Sequence, residues 1–115
     1  MVRDRRALLW DARTSGNAIE RFLSGKDFDD FLADEMLRSA VERQFEILGE
    51  ALAQLSKVDP QIAEQIPDAR NAIGFRNVLI HGYAKVDSAI VWQAATQSLP
   101  NLLSAVDALL KEVSE

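Results

Sequence analysis

The sequence predicts an all-α protein, an up-down antiparallel bundle of four to five helices with a kinked last helix. Three observations predict it. The segments between breaks are rich in Ala, Leu, Glu, Arg and Gln, residues that enter helices at little cost. Alternating β-branched runs, the signature of strands, are almost missing. Apolar residues recur at spacings of three and four over long stretches. Connections between these stretches are short, which favours antiparallel neighbours. The 115 residues are close to the commonest domain size, so one domain over residues 1–115 is expected.

The first helix is expected from about residue 3 to 24, where Leu8, Ala12, Ser15, Ile19 and Phe22 form one stripe. "SGKD" ends it, with Gly25 as a left-handed cap. Asp27 can cap the next helix, whose positive N-terminal end suits Asp29 and Asp30. That second helix, about 28 to 57, carries a seam of Leu37, Val41, Phe45, Leu48, Leu52 and Leu55. Met36, Ala40, Ile47 and Ala51 widen the stripe enough for two neighbours or a partner chain. Asp59 and Pro60 read as a cap and first residue of a short helix that Pro67 closes. A helix over roughly 68 to 81 follows, stopped by Gly82. Asp87 caps the final helix, about 88 to 113, where Trp92, Ala95, Leu99, Leu102, Val106, Leu109 and Val113 alternate spacings of three and four. Pro100 lies off that seam and removes one backbone donor, so a kink is expected near residues 96 to 100.

Composition narrows the function classes. The chain has no cysteine, hence no disulfide and no thiolate nucleophile. A single histidine argues against a zinc site within one chain, and no cofactor is implied. No apolar run approaches the roughly 20 residues that span a bilayer. Aspartates interrupt "MVRDRRALLWDAR" where a signal peptide would be apolar, so a cytoplasmic location away from membrane is expected. Net charge of −5 means that any RNA contact needs a local basic patch. Arg38, Arg43 and Arg70 could supply a track, although interleaved glutamates fit solvated faces better.

The chemistry concentrates in "RNVLIHGY", residues 76 to 83, which holds the single histidine and the single tyrosine. On a helix, Asn77 and His81 share a face; Arg76 and Tyr83 share another if the helix extends that far. Val78, Leu79 and Ile80 are the expected apolar anchors. A guanidinium is a planar donor suited to phosphate oxygens. An imidazole takes and gives a proton near neutrality. Asn77 can orient the imidazole or donate to a phosphate. Together these are parts for metal-free cleavage of RNA: the base takes the ribose 2′-hydroxyl proton, that oxygen attacks phosphorus, and the guanidinium stabilises the added charge. A plainer reading stands beside this one. A lone histidine near a helix end is commonly structural, a lone arginine commonly sits in an ion pair, and Tyr83 and Trp92 fit half-buried or core aromatics.

The spacing R-x4-H-x-Y at Arg76, His81 and Tyr83 resembles the signature of HEPN domains. "VERQFEILGEAL" (41 to 52), "RNVLIHGYAKVD" (76 to 87), "VW" (91 to 92) and "LPNLL" (99 to 103) resemble the HepT-like branch in order, over about residues 35 to 110. The segment "IPDARNAIGF" departs from relatives in lacking a tryptophan. The resemblance implies an all-helical homodimer, the toxin of a toxin–antitoxin module. It implies a metal-independent endoribonuclease in which Arg76 and His81 carry cleavage with Asn77 in support. It also implies a minimal nucleotidyltransferase antitoxin of the MntA type as partner, which uses ATP to adenylylate Tyr83. Two motifs would meet in one cleft of the dimer, whose two chains carry about −10, twice −5. The competing function class is a non-catalytic helical dimer that binds nucleotide or positions a nucleotidyltransferase. A purely structural role for the motif is the third.

Overall fold

Aspartate side chains start five helices of this protein. A computed structural model describes residues 3–81 and 86–114. Its helices are α1 (Arg5–Leu23), α2 (Phe28–Ala33), α3 (Glu35–Val58), α4 (Pro60–Glu64), α5 (Ala69–His81), α6 (Ser88–Gln93) and α7 (Leu99–Ser114), with a π-helical turn (Ala94–Ser98) joining α6 to α7. Asp4, Asp27, Asp34, Asp59 and Asp87 each accept a hydrogen bond from a first-turn backbone N–H, at 2.8 to 3.2 Å. Those N–H groups have no partner inside their own helix, and each carboxylate also meets the positive end of the helix dipole. Asp30 returns the bond to the Asp27 N–H at 3.0 Å, which closes a capping box. Gly25 has φ +74°, the left-handed conformation expected of it after α1.

The architecture is all-helical throughout the described residues, as the sequence predicts. Two long elements differ from expectation. The helix expected over 28 to 57 is two helices, because Asp34 takes an extended conformation and caps α3 anew through the Leu37 N–H. The break turns Phe31 into the core, where it is fully buried. The Leu32 carbonyl left over at the break accepts from the Arg38 guanidinium. The last helix is interrupted where Pro100 demanded, and the interruption is a π turn. The Leu99 N–H reaches back five residues to the Ala94 carbonyl. A proline has no N–H to bond the carbonyl four residues back and its ring clashes there, so one widened turn absorbs the conflict. With α6 and α7 read as one element, four long helices carry the bundle and α2 and α4 are short connectors.

α1 lies antiparallel between α3 and α7. Arg5 at its start pairs with Asp59 at the end of α3 at 3.1 Å. Arg13 pairs with Asp107, and Gly16 lies against Leu103, so ascending α1 descends α7. The seams read from spacing form the core: Leu8, Ala12 and Ile19 of α1, Val41, Phe45, Leu48, Leu52 and Leu55 of α3, and Leu99, Leu102, Val106 and Leu109 of α7 are all buried. Each fully buried leucine stabilises by about 1.5–3 kcal/mol relative to an exposed one. Met36 is the exception in the second α3 strip, being 84% exposed. It sits in the first turn of α3, beyond the reach of the neighbouring helices. Trp92 is half-buried and packs on Phe28 and Phe31, with ring centroids 5.9 and 5.6 Å away. Among the described residues, no helix is long and apolar enough to cross a membrane.

The α3–α4 junction gives a prediction. The Ile62 N–H and then the Arg5 guanidinium hold the Asp59 carboxyl below the usual carboxylate range. A depressed folded-state value means the stabilisation is complete above the unfolded value of about 4 and is lost as pH falls through the lower folded one. Asp59→Asn, which keeps a capping oxygen but no charge, is expected to be less stable than the wild type at pH 7. That difference shrinks below about pH 4. Urea unfolding of both proteins across pH 3 to 7 checks this, and a difference independent of pH overturns it.

Candidate active site

α5 carries the motif, and its inward stripe explains where each motif residue lies. Ala69, Ala72, Ile73, Arg76 and Leu79 recur at three- and four-residue spacing and face α3, all buried or half-buried. Arg76 thus stands in an otherwise apolar stripe. Phe75 flanks it and meets Phe45 edge-on at 5.2 Å. The expected anchors need correction. Leu79 anchors, but Val78 and Ile80 are 57% and 47% exposed, because the stripe that meets α3 passes through Arg76 instead.

Gly49 sets the closeness of this packing. A Cβ there would lie well inside van der Waals contact with the Arg76 Cβ and 2.9 Å from the Ala72 carbonyl oxygen. The Arg76 stem therefore rests on the backbone of α3. Its Nη2 lies 2.7 Å from Glu50 Oε2 in an ion pair, and the side chain is only 20% exposed. Glu50 Oε1 in turn accepts from Gln54 Nε2 at 3.0 Å. Arg76 Nε is buried and without a hydrogen-bond partner among the described residues.

Asn77 and His81 share the opposite, exposed face of α5. His81 is its last residue. It lies about 7.5 Å along the axis from Arg76 and about 140° around it. Among the described residues, no hydrogen bond joins Arg76, Asn77 and His81 to one another. The imidazole is exposed and the guanidinium lies against α3, on different sides of the same helix. Tyr83 and Gly82 lie outside the described residues. Beside Glu50 and Ile80, a cleft of about 350 Å³ opens between α1, α3 and α5, with Arg3 and Arg43 on its rim. Both rim cations are already paired, Arg3 with Asp11 at 3.1 Å and Arg43 with Glu46 at 3.0 Å. Among the described residues no group of three or more acidic or histidine side chains could hold a metal ion.

A family model described as "Ribonuclease HepT-like" matches residues 13–109, a span that includes α5 whole and the cleft wall of α3. The chain belongs to the HepT-like ribonuclease family. Among the relatives of this HepT-like chain is "Putative RNase MJ1380" of Methanocaldococcus jannaschii, 31% identical over 91% of this chain and 95% of its own length. "Probable ribonuclease HepT" of Thermococcus cleftensis is 32% identical over 96% of this chain and all of its own. "Putative RNase TTE0752" of Caldanaerobacter subterraneus subsp. tengcongensis is 34% identical over 82% of each. No solved structure matches the chain.

Sequence reasoning on single residues passed over Gly49 and Glu50, although both lie in the "GEA" block that marks the HepT-like resemblance. The available signal was a glycine in the interior of a long helix of good helix formers, where it costs about 1 kcal/mol relative to alanine. Its partner, Arg76, is on another helix, so spacing along the chain does not reveal the contact. Two glycine variants test the geometry. At Gly49 an added methyl meets a Cβ and a backbone oxygen; at Gly16 it meets the buried side chain of Leu103 and no backbone. Gly49→Ala is expected to lose about 1–2 kcal/mol of stability, overpacking outweighing the gain in helix propensity. Gly16→Ala is expected to lose less than Gly49→Ala, because a leucine side chain shifts more readily than a backbone oxygen. Equal effects in urea unfolding would contradict the close approach of α5 to α3.

Proposed function

We propose that this chain is a metal-independent endoribonuclease, the toxin of a toxin–antitoxin module, working as a homodimer on RNA. The observation that carries this reading is the state of the two motif side chains. Within a segment matched to a ribonuclease family, Arg76 is held against α3 by the Glu50 ion pair, with no partner for Nη1 among the described residues, and His81 is exposed at the end of the same helix. In the reaction, the His81 imidazole takes the proton of a ribose 2′-hydroxyl. The freed oxygen attacks the adjacent phosphorus, the bond to the 5′-oxygen breaks, and that oxygen leaves with a proton returned by the imidazolium. A 2′,3′-cyclic phosphate and a 5′-hydroxyl result. Arg76 stabilises the charge that builds on the phosphoryl oxygens, and Asn77, one turn before His81, orients the imidazole or donates to the phosphate.

A two-fold dimer places two such pairs in one crevice, so the site is composite. The exposed Val78 and Ile80 supply apolar surface for that contact. A minimal nucleotidyltransferase of the MntA type neutralises the toxin by adenylylating Tyr83. The phenolic oxygen attacks the α-phosphorus of ATP and pyrophosphate leaves. The AMP adds bulk and a negative phosphodiester two residues from His81, which opposes entry of RNA. The second reading, a non-catalytic helical dimer that binds nucleotide or holds the nucleotidyltransferase, is favoured by the Glu50 carboxylate already on Arg76.

RNA incubated with the purified protein in EDTA decides between them. Fragments ending in 2′,3′-cyclic phosphate are expected, with His81→Ala slower by about 10²–10⁴-fold and Arg76→Ala by about 10²–10³-fold. Cleavage unchanged in His81→Ala refutes the nuclease. No product at any dose, with the nucleotidyltransferase still bound by both variants, establishes the second reading instead. After incubation with that partner and ATP, peptide mass spectrometry is expected to find AMP on Tyr83, and AMP on another residue would overturn the assignment.

A further inference from the structure

We infer that Glu50 is the positioning residue of this site, fixing which edge of the Arg76 guanidinium is presented to a phosphate. The inference rests on the nuclease reading and deepens it. An arginine has five N–H donors on three nitrogens, and each nitrogen here has a different fate. Nε is buried and finds no partner among the described residues. Nη2 is engaged by Glu50 at 2.7 Å. Nη1 makes no hydrogen bond to any described residue. That leaves the Nη1 edge as the side of the guanidinium that no described residue engages.

The carboxylate that imposes this choice is itself held. Gln54, one turn further along α3, donates to its other oxygen at 3.0 Å. Gly49, the residue before Glu50, receives the Arg76 stem directly. Stem and head of the arginine are thus set by adjacent residues of one helix, while Nε contributes no hydrogen bond to orientation. Without Glu50, no described residue offers the Arg76 head a polar partner. An ion pair of this kind differs from an ordinary surface pair in two respects. Its cation is four-fifths covered, and its anion is anchored from behind. Glu50 does not touch the substrate in this scheme; it acts through Arg76.

The test uses the full chain and an end-labelled single-stranded RNA oligonucleotide in EDTA. Glu50→Ala is expected to lower kcat at least tenfold with KM changed less than threefold. Glu50→Gln, whose amide oxygen still accepts from Nη2, is expected to restore most of that loss. Both variants should melt within a few degrees of the wild type. An independent readout needs no turnover: in ¹⁵N spectra of the arginine guanidinium groups, Arg76 shows hindered rotation about its Cζ–N bonds in the wild type and Glu50→Gln, and free rotation in Glu50→Ala. Wild-type cleavage by Glu50→Ala overturns the inference. So does faster cleavage with a lowered KM, which would make the carboxylate a competitor of phosphate. So does a rate loss shared equally by Gln and Ala and matched by lost thermal stability, or an Arg76 spectrum unmoved by Glu50→Ala. Arg76→Ala and His81→Ala, run in the same assay, separate the two failures. If they cleave normally, the nuclease reading falls; if they are inactive while Glu50→Ala is normal, only the role of Glu50 falls.

Discussion

The placement of α5 on α3 depends on one residue without a side chain. Gly49 lets the stem of Arg76 and the carbonyl of Ala72 lie on the α3 backbone. Glycine inside a helix is unfavourable by about 1 kcal/mol relative to alanine. Here that cost gives a close approach which larger residues forbid. Once α5 is seated, much follows. Phe75 reaches Phe45, Arg76 reaches Glu50, and the remaining helix face, with Asn77 and His81, turns outward. α3 is thereby both the spine of the core, through Val41, Leu48, Leu52 and Leu55, and the back wall of the candidate site.

The acidity of the chain takes on a different meaning in the fold. Net charge is −5, and five aspartates cap helix N-termini. Each cap faces a helix end equivalent to roughly half a positive charge, so much of its field is answered locally. Further carboxylates are held in ion pairs with Arg3, Arg13, Arg43 and Arg76. Glu42 shows the opposite balance: burial pushes its carboxyl above the usual range, against the pull of Arg38. The negative balance therefore reflects local structural roles spread over the molecule. It does not describe a single acidic face, and it leaves room for a small cationic site in a chain whose total is negative.

What spacing can show, it showed. The α1, α3 and α7 seams are periodic in three and four and most of their residues are buried, but the core also takes Leu9, Val91, Leu103 and Leu110 from beside the stripes, and Phe22, Leu37 and Val113 of the stripes are only half-buried. Caps at Asp27, Asp59 and Asp87 were legible because each follows a break. Asp34 was not, since it lies inside a stretch where periodic apolar residues continue on both sides. Pro100 announced a disturbance, but whether a helix bends or widens depends on its packing, and here a π turn keeps Leu99 and Leu102 in the core. The motif residues were legible as chemistry and not as geometry. The inward turn of Arg76 follows from a contact between helices, which no local pattern encodes, and Tyr83 lies outside the described residues.

The apolar residues between the two motif groups bear on how a site could be completed. Val78 and Ile80 are exposed, although the core nearby has an aliphatic-lined stripe that Arg76 occupies instead. Exchanging these positions would bury hydrocarbon and free the cation, so folding of one chain alone gives no reason for the arrangement. A second surface laid over α5 does give one. It would remove Val78 and Ile80 from water and narrow the space around His81. It would also lower the local dielectric in which the Nη1 edge of Arg76 meets an anion, and a hydrogen-bonded charge gains strength there. In the proposed dimer, the exposed aliphatics and the covered arginine belong to one composite site.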